Sequence, residues 1–385
     1  MSYEVRYSDS AKGRGLFSKT KLLCDTTILE EDPLVSCQFQ WNAAYQYLAC
    51  DHCLRPLETA QENATRLTGK MVELPHPECC CTDKSRFSSC PSCGLQYCST
   101  ECREEAYNQY HRILCTQTTD KNSSHPLEQL NEAWKQLHYP PETSTIFLVV
   151  RLLARILQAP NREAAIAQTL QFCHHTVNED ADLAHKLLGE KFAGQLSLLH
   201  NLLVAAVPHE GIEQFLTFEG FQSLLALIGT NGQGLGTSAI SQWVKNTGTL
   251  PISQEERENL DSFVDNLYIQ MDSNVGEFLN NEGVALYALQ SACNHSCSPN
   301  AEPRFEHNNH RLSLVATRDI EEGEEIFISY LDECILGRSR HSRRKELVSN
   351  YLFECHCSKC EAEADEPDVT SEEDDDAEES MEDSS

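Results

Sequence analysis

Two sets of residues in this 385-residue chain could do chemistry: cysteines spaced to hold metal, and a short polar run with a tyrosine further on. Eleven of the nineteen cysteines, together with His111, give twelve candidate ligands. They read Cys50-x2-Cys53, Cys90-x2-Cys93, Cys98-x3-Cys102 and His111-x3-Cys115 in one stretch, then Cys297 with Cys355-x-Cys357-x2-Cys360 in another. Two thiolates separated by two residues form a tight knuckle that offers both sulfurs to one ion, and two such pairs complete zinc's tetrahedron. Twelve ligands taken in fours imply three zinc ions. The short spacer between Cys93 and Cys98 favours interleaving, with Cys50, Cys53, Cys98 and Cys102 on one ion and Cys90, Cys93, His111 and Cys115 on the other. Spacing alone leaves that sharing open. Cys79, Cys80 and Cys81 are adjacent and therefore poor chelators, so they are expected as free thiols on a loop.

The elements that must position these groups are of three kinds. Tyr3 to about Ala49 and the stretch from Gly283 read as short strands, including a hairpin at Ala301–Phe305 and Leu312–Ala316 and a buried strand from Glu325 to Tyr330. Residues 50–115 are the cysteine-rich unit, with a long interruption from Leu54 to Ser89. Between about 125 and 280 apolar residues recur at helical intervals, so a helical insert is expected, and Ser339–Val348 reads as a basic helix. The glycine-rich run Gly229–Thr237 follows a helical pattern and lacks the lysine of a phosphate loop, which predicts a flexible loop between helices.

Charge and hydropathy narrow the function classes. Of the formal charge of −30, fourteen acidic residues lie from Glu361 onward with no Lys or Arg among them, which leaves −16 on the rest. So acidic a chain is unsuited to holding nucleic acid by its phosphates, and direct DNA binding is not expected; a basic protein is the fitting partner. The tail after about Asp365 cannot bury anything and is expected to be disordered. Ile146–Leu157 is too short to span a bilayer and contains Arg151 and Arg155. Met1-Ser2-Tyr3-Glu4 leads into a strand without a secretory apolar core. A reducing compartment is therefore expected, the cytoplasm with nuclear presence also compatible, and it favours metal over disulfides.

Three separated segments together resemble a SET domain: Lys12-Gly13-Arg14-Gly15-Leu16-Phe17, Asn294-His295-Ser296-Cys297-Ser298-Pro299-Asn300, and Gly323-Glu324-Glu325-Ile326-Phe327-Ile328-Ser329-Tyr330. Tyr330 alone would be a half-buried core residue and Asn294-His295 alone a turn; their joint occurrence with the cysteine sites argues otherwise. The ligand order of residues 50–115 resembles a MYND zinc finger. A SET domain split by such a finger, with a helical insert and a three-cysteine ending, is similar to the SMYD family of lysine methyltransferases. The long finger interruption, the acidic tail and the lack of a helical repeat region after the last cysteines mark a divergent member.

The resemblance implies an α+β fold: residues 1–49 as the first part of the SET domain, 50–115 the finger, 116–280 the helical insert, 281–331 the SET core, 332–362 a zinc-binding post-SET segment, and 363–385 the acidic tail. It implies S-adenosylmethionine as cofactor, a monomer, and proline-containing peptides as ligands of the finger. It places Lys12, Gly13, Arg14 and Asn231 along the cofactor, the Asn294 side-chain oxygen on its ammonium, the His295 backbone and Phe353 at the adenine, Tyr351 in the wall of the lysine channel, and Tyr330 at the chemistry. The implied activity is protein-lysine N-methyltransfer to a basic protein, a histone or a ribosomal or translation-machinery protein. The alternative is a zinc-finger interaction adaptor whose SET fold is catalytically weak; the intact Asn294, His295 and Tyr330 favour the enzyme.

Overall fold

The computed structural model describes residues 1–7, 13–117, 124–137, 145–179, 183–276 and 279–366. Lys12 and the acidic tail beyond 366 lie outside these residues. Ten strands carry the fold: β1 (Tyr3–Tyr7), β2 (Arg14–Ser18), β3 (Thr27–Glu31), β4 (Val35–Gln38), β5 (Gln233–Thr237), β6 (Asn281–Leu286), β7 (Asn294–His295), β8 (Ala301–Arg304), β9 (Leu312–Ala316) and β10 (Glu325–Ile328). They form three small sheets, ordered β1-β2-β10-β7, β4-β6-β5 and β8-β9-β3. Leu16, Ile28, Leu29, Leu235, Tyr287, Leu312, Leu314, Ile326 and Ile328 meet in one core between them. All pairs are antiparallel apart from β7 with β10, which run parallel.

β5 corrects the sequence reading of Gly229–Thr237. The helix before it runs to Asn231, and Gln233–Thr237 then pairs with β6, Leu235 opposite Gly283. Glycines at 234 and 236 disguise a strand that tertiary pairing alone specifies. A strand therefore falls inside the stretch expected to be helical.

Two of the further cores are built mainly from helices. The first gathers around α1 (Ala60–Thr68), which lies in the finger's interruption. Thr59 and Glu62 form a capping box at its start and Gly69 ends it in the left-handed conformation. α1 packs against two helices from late in the insert, Ala239–Thr247 and Gln254–Val275, around the buried Trp243, Leu260, Leu267 and Met271. The Trp243 Nε1–H donates to the His76 carbonyl at 3.1 Å and the Asn246 Nδ2 to the Cys79 carbonyl at 2.8 Å. Cys79 is buried in this core, Cys80 is half-buried and Cys81 is exposed on the loop that follows; all three are free cysteines.

The second core surrounds Ile146–Gln158, buried on almost every face. Its Arg151 is buried and joins three parts of the chain. The guanidinium donates to the Ser36 carbonyl of β4 and the Asp51 carbonyl of the finger, both at 2.6 Å. It also pairs with the Asp51 carboxylate at 2.5 Å and lies 4.8 Å over the Tyr110 ring. Only a planar fork of five donors can serve these acceptors at once. Arg151→Met is therefore expected to cost about 3 kcal/mol in denaturant unfolding, because it strands the half-buried Asp51 carboxylate and two carbonyls, and Arg151→Lys is expected to recover little of it.

Candidate active site and metal centres

Asn294 and His295 run alongside β10, opposite Phe327 and Ile328. Backbone bonds from Ser296 N to Ile328 O (3.0 Å) and from Asn300 N to Phe327 O (3.2 Å) extend the contact. The fully buried Asn300 completes it: Oδ1 accepts from Phe327 N at 2.7 Å and Nδ2 donates to Glu325 O at 2.9 Å. One amide thus substitutes for a strand neighbour, which explains an asparagine at the end of this motif.

Tyr330 follows directly from β10. Its N–H donates to His295 Nδ1 at 3.0 Å and its hydroxyl to the Cys293 carbonyl at 2.8 Å. Burial pushes the phenol well above the ordinary tyrosine range, with the nearby Cys293 and Tyr351 reinforcing it, so the group stays neutral. With its proton engaged, the oxygen keeps lone pairs to accept from a ligand. The Tyr351 ring lies 4.8 Å away and its hydroxyl donates to the Tyr330 carbonyl at 3.1 Å. Burial likewise pushes Tyr351 up to about 12. Phe353 stands edge-on to Tyr330 at 6.3 Å and 6.2 Å from the His295 ring.

Asn294 spends both amide hydrogens on the protein, on Arg14 O (2.9 Å) and Glu325 Oε1 (2.7 Å), so Oδ1 is the atom left to accept. Gly13 has φ +67°, and none of the described residues lies within 4 Å of where a Cβ would stand, so its backbone is open to close approach on that side. Arg14 reaches Ser291 Oγ at 3.4 Å, and burial holds its guanidinium below the usual value. Asn231 Nδ2 donates to Cys173 O and Leu227 O at 2.7 and 2.9 Å. Gly13, Arg14, Asn231, Asn294, His295, Tyr330, Tyr351 and Phe353 line one cavity of about 2400 Å³. The structure thus gathers every proposed cofactor residue among the described ones. Sequence reasoning missed the Cys293 carbonyl, which holds the tyrosine hydroxyl. It also missed Glu31, whose carboxylate accepts from Leu289 N at 2.9 Å and Gln290 N at 3.0 Å and fixes the turn leading to Cys293. A backbone carbonyl and an acidic strand residue carry no sequence signature for such roles.

The twelve cysteine and histidine ligands assemble in three groups: Cys50, Cys53, Cys98 and Cys102; Cys90, Cys93, His111 and Cys115; Cys297, Cys355, Cys357 and Cys360. Within each group the ligand atoms lie within 4.8 Å of one another. The interleaving is the one that the short Cys93–Cys98 spacer favours. Cys53–Cys98, Cys98–Cys102, Cys90–Cys115 and Cys297–Cys360 sulfurs are 3.6, 3.5, 3.9 and 3.6 Å apart. A tetrahedron with zinc–sulfur arms of about 2.3 Å has edges of about 3.8 Å, so the spacing fits that ion. The two finger knuckles bend alike, with Leu54 and Gly94 both in the left-handed region after the second cysteine. A glycine takes that conformation freely; Leu54 bears the strain while buried in the SET core, where its Cδ2 would lie 2.4 Å from any Cβ at Gly283. A π turn at Tyr107–His111 resets the helical register before His111 and Cys115. In the third group, Cys297 is pushed far up by its contact with Cys355 and by burial, while the same contact draws Cys355 down to about 3. A divalent cation is the charge that lets all four be thiolates together.

The SET domain family model matches residues 13–331 of the chain. Over 374 residues the chain is 54% identical to human protein-lysine N-trimethyltransferase SMYD5, covering 97% of this chain and 90% of that protein, and the chicken protein of that name is 53% identical over 376 residues. Mouse histone-lysine N-methyltransferase SMYD3 is 26% identical over 292 residues, 75% of this chain and 52% of that protein. The chain belongs to the SMYD family of SET-domain proteins.

Elemental analysis of the purified chain is expected to give three zinc ions. Cys297→Ser is expected to lower this to two and to abolish methyl transfer while the finger zincs remain, because Cys297 sits between the tyrosine's histidine partner and the C-terminal cysteines; three ions retained, or full turnover, would contradict this.

Proposed function

We propose that this chain is a protein-lysine N-methyltransferase that uses S-adenosylmethionine and acts on a basic protein, of the histone or ribosomal kind. Relatives that match nearly the whole chain carry the name protein-lysine N-trimethyltransferase. The observation that carries the reading is Tyr330: a half-buried phenol, held neutral, whose hydroxyl is anchored on Cys293 O, in the cleft where Asn294 offers its amide oxygen. Asn294 Oδ1 suits the cofactor's ammonium, the exposed backbone at Gly13 allows its methionine part close approach, and Phe353 offers a face to adenine. When bound, S-adenosylmethionine supplies an electrophilic methyl: its C–S bond breaks, sulfur keeps the electron pair, the amine's C–N bond forms and one amine proton leaves to solvent.

The protein's own contribution is alignment and dehydration. Tyr330 and Tyr351 wall the channel with aromatic surface, so a lysine entering it loses water and its ammonium pKa falls. The phenol oxygen then orients the neutral amine without competing as a nucleophile, since it stays protonated. The zinc clusters hold the fold around this geometry, and the net charge of −30 draws a basic substrate at low salt. Reduced thiols at this density suit the cytoplasm and nucleus. Among the described residues no helix is long and apolar enough to cross a membrane.

Incubation with tritiated S-adenosylmethionine and acid-extracted basic proteins tests the activity. Label on lysine is expected; no label on any extract would sink the reading. Tyr330→Phe is expected to lower turnover at least a hundredfold with cofactor affinity nearly unchanged. Asn294→Ala is expected to weaken cofactor binding itself, about tenfold or more by calorimetry. Because the Tyr330 pKa is raised, the phenol keeps its proton as pH climbs. The rate is therefore expected to rise as substrate amine deprotonates and to show no falling limb from tyrosine below about pH 10. A fall between pH 8 and 9 in a stable enzyme would contradict it.

A further inference from the structure

The two aromatic residues that stand over Tyr330 flank a strained turn. Leu352 lies between Tyr351 and Phe353 with φ +62°, a left-handed conformation that a bulky residue keeps only where its surroundings hold it. The turn brings both neighbours to one ring, Tyr351 at 4.8 Å and Phe353 at 6.3 Å from Tyr330. On the helix side Leu352 N donates to Val348 O at 3.1 Å. On the other side the Leu352 carbonyl accepts from Asn178 Nδ2 at 3.0 Å, a residue 174 positions earlier in the chain.

Asn178 is delivered by a firmly seated arm of the helical insert. Val177 and Asn178 pair antiparallel with Ala184 and Leu183, and His185 N closes the base of the arm on Thr176 O at 2.9 Å. His185 is fully buried against Gly229 of the helix Phe218–Asn231, where a Cβ would stand 2.3 Å from its Cε1. Before the arm, the Cys173 carbonyl accepts from Asn231 Nδ2 at 2.7 Å. Cys173, Asn178, Leu352 and Phe353 line the same cavity as Asn294 and Tyr330. The stretch from Cys173 to Asn178 is thus pinned at one end to a proposed cofactor residue. At the other end it holds the peptide that leads into Phe353.

We propose that Asn178 is a positioning residue that clamps the Tyr351–Phe353 turn over the cleft, so that its bond to Leu352 sets how tightly S-adenosylmethionine and the spent S-adenosylhomocysteine are held. This rests on the reading of the cleft as the site of that cofactor. Without the bond the turn relaxes from its left-handed backbone, and Phe353 leaves the place where it offers a face to adenine. Cofactor at saturation supplies contacts that restore the turn, so the bond acts through affinity and little through the rate of transfer.

The test uses the full-length zinc-loaded chain, calorimetry with S-adenosylhomocysteine, and tritiated S-adenosylmethionine with acid-extracted basic proteins. Asn178→Ala removes the donor, and Asn178→Asp keeps the shape but sets a carboxylate oxygen against the Leu352 carbonyl. Asn178→Ala is expected to weaken S-adenosylhomocysteine binding about fivefold to tenfold, and Asn178→Asp by at least as much. The KM for S-adenosylmethionine is expected to rise in step, while kcat at saturating cofactor falls less than about threefold. Zinc content is expected to match the parent, and Tm to shift by less than about 3 °C. If Asn178→Asp does not fold, Asn178→Ala decides alone, by its affinity loss at parental zinc content and Tm. Parental affinity in the variants, a milder effect of Asp than of Ala, or a kcat that falls as far as the affinity would overturn the proposal. So would an affinity loss that comes with lost zinc or a larger drop in Tm. A parent chain that binds no S-adenosylhomocysteine would overturn the cofactor reading first, and this one with it.

Discussion

The site depends on one imidazole. His295 Nδ1 accepts from the Tyr330 backbone, which fixes the proton on Nε2, and Nε2 points at the Cys297 sulfur 3.3 Å away. The sulfur of a candidate metal ligand and the Tyr330 backbone are thus held by opposite sides of one ring. Tyr351 and Phe353, which stand over Tyr330, lie just before Cys355 of the same cluster. The Cys297, Cys355, Cys357 and Cys360 group therefore fixes the tyrosine from below through His295 and encloses it from above through the chain that leads to Cys355. The four-cysteine group thus governs the geometry of the cleft.

The finger is equally committed to the rest of the chain. Its first knuckle drives Leu54 into the SET core over Gly283, where no side chain fits, and Asp51 receives Arg151 from the central helix. Its interruption builds α1 and folds with Ala239–Thr247 and Gln254–Val275. What reads as an insertion within the finger and what reads as the end of the helical insert are two halves of one small core. Neither half has enough apolar surface to bury by itself.

Legibility in the sequence followed the range of the interactions. The metal groups were readable residue by residue, because a knuckle is a local turn with fixed ligand spacing, and Asn294, His295 and Tyr330 sit within recognisable runs. The hairpin at Ala301–Arg304 and Leu312–Ala316 and the basic helix Arg340–Tyr351 were readable from alternation and helical period. β5 was not, since its glycines remove the pattern and only β6 makes it a strand. Arg151 looked like evidence against a membrane helix, and its actual role, tying β4 to the finger, depends on residues about 100 positions away.

The pairing of β2 with β10 has a consequence for how the molecule is made. Leu16 lies opposite Ile326, so the first glycine turn waits for nearly the whole chain before its sheet can form. At roughly 5–20 residues per second of synthesis, that interval is on the order of 15–60 s. During it β2 presents an open edge and an apolar face to the crowded space around the ribosome. The finger and the central helices, whose ligands and partners emerge earlier, can consolidate in that time, with the first two cysteine and histidine groups assembled. The last cluster closes only when Cys360 appears. Methyl-transfer competence is thus acquired in a single late step, so that incomplete chains hold the first two ligand groups but no assembled channel.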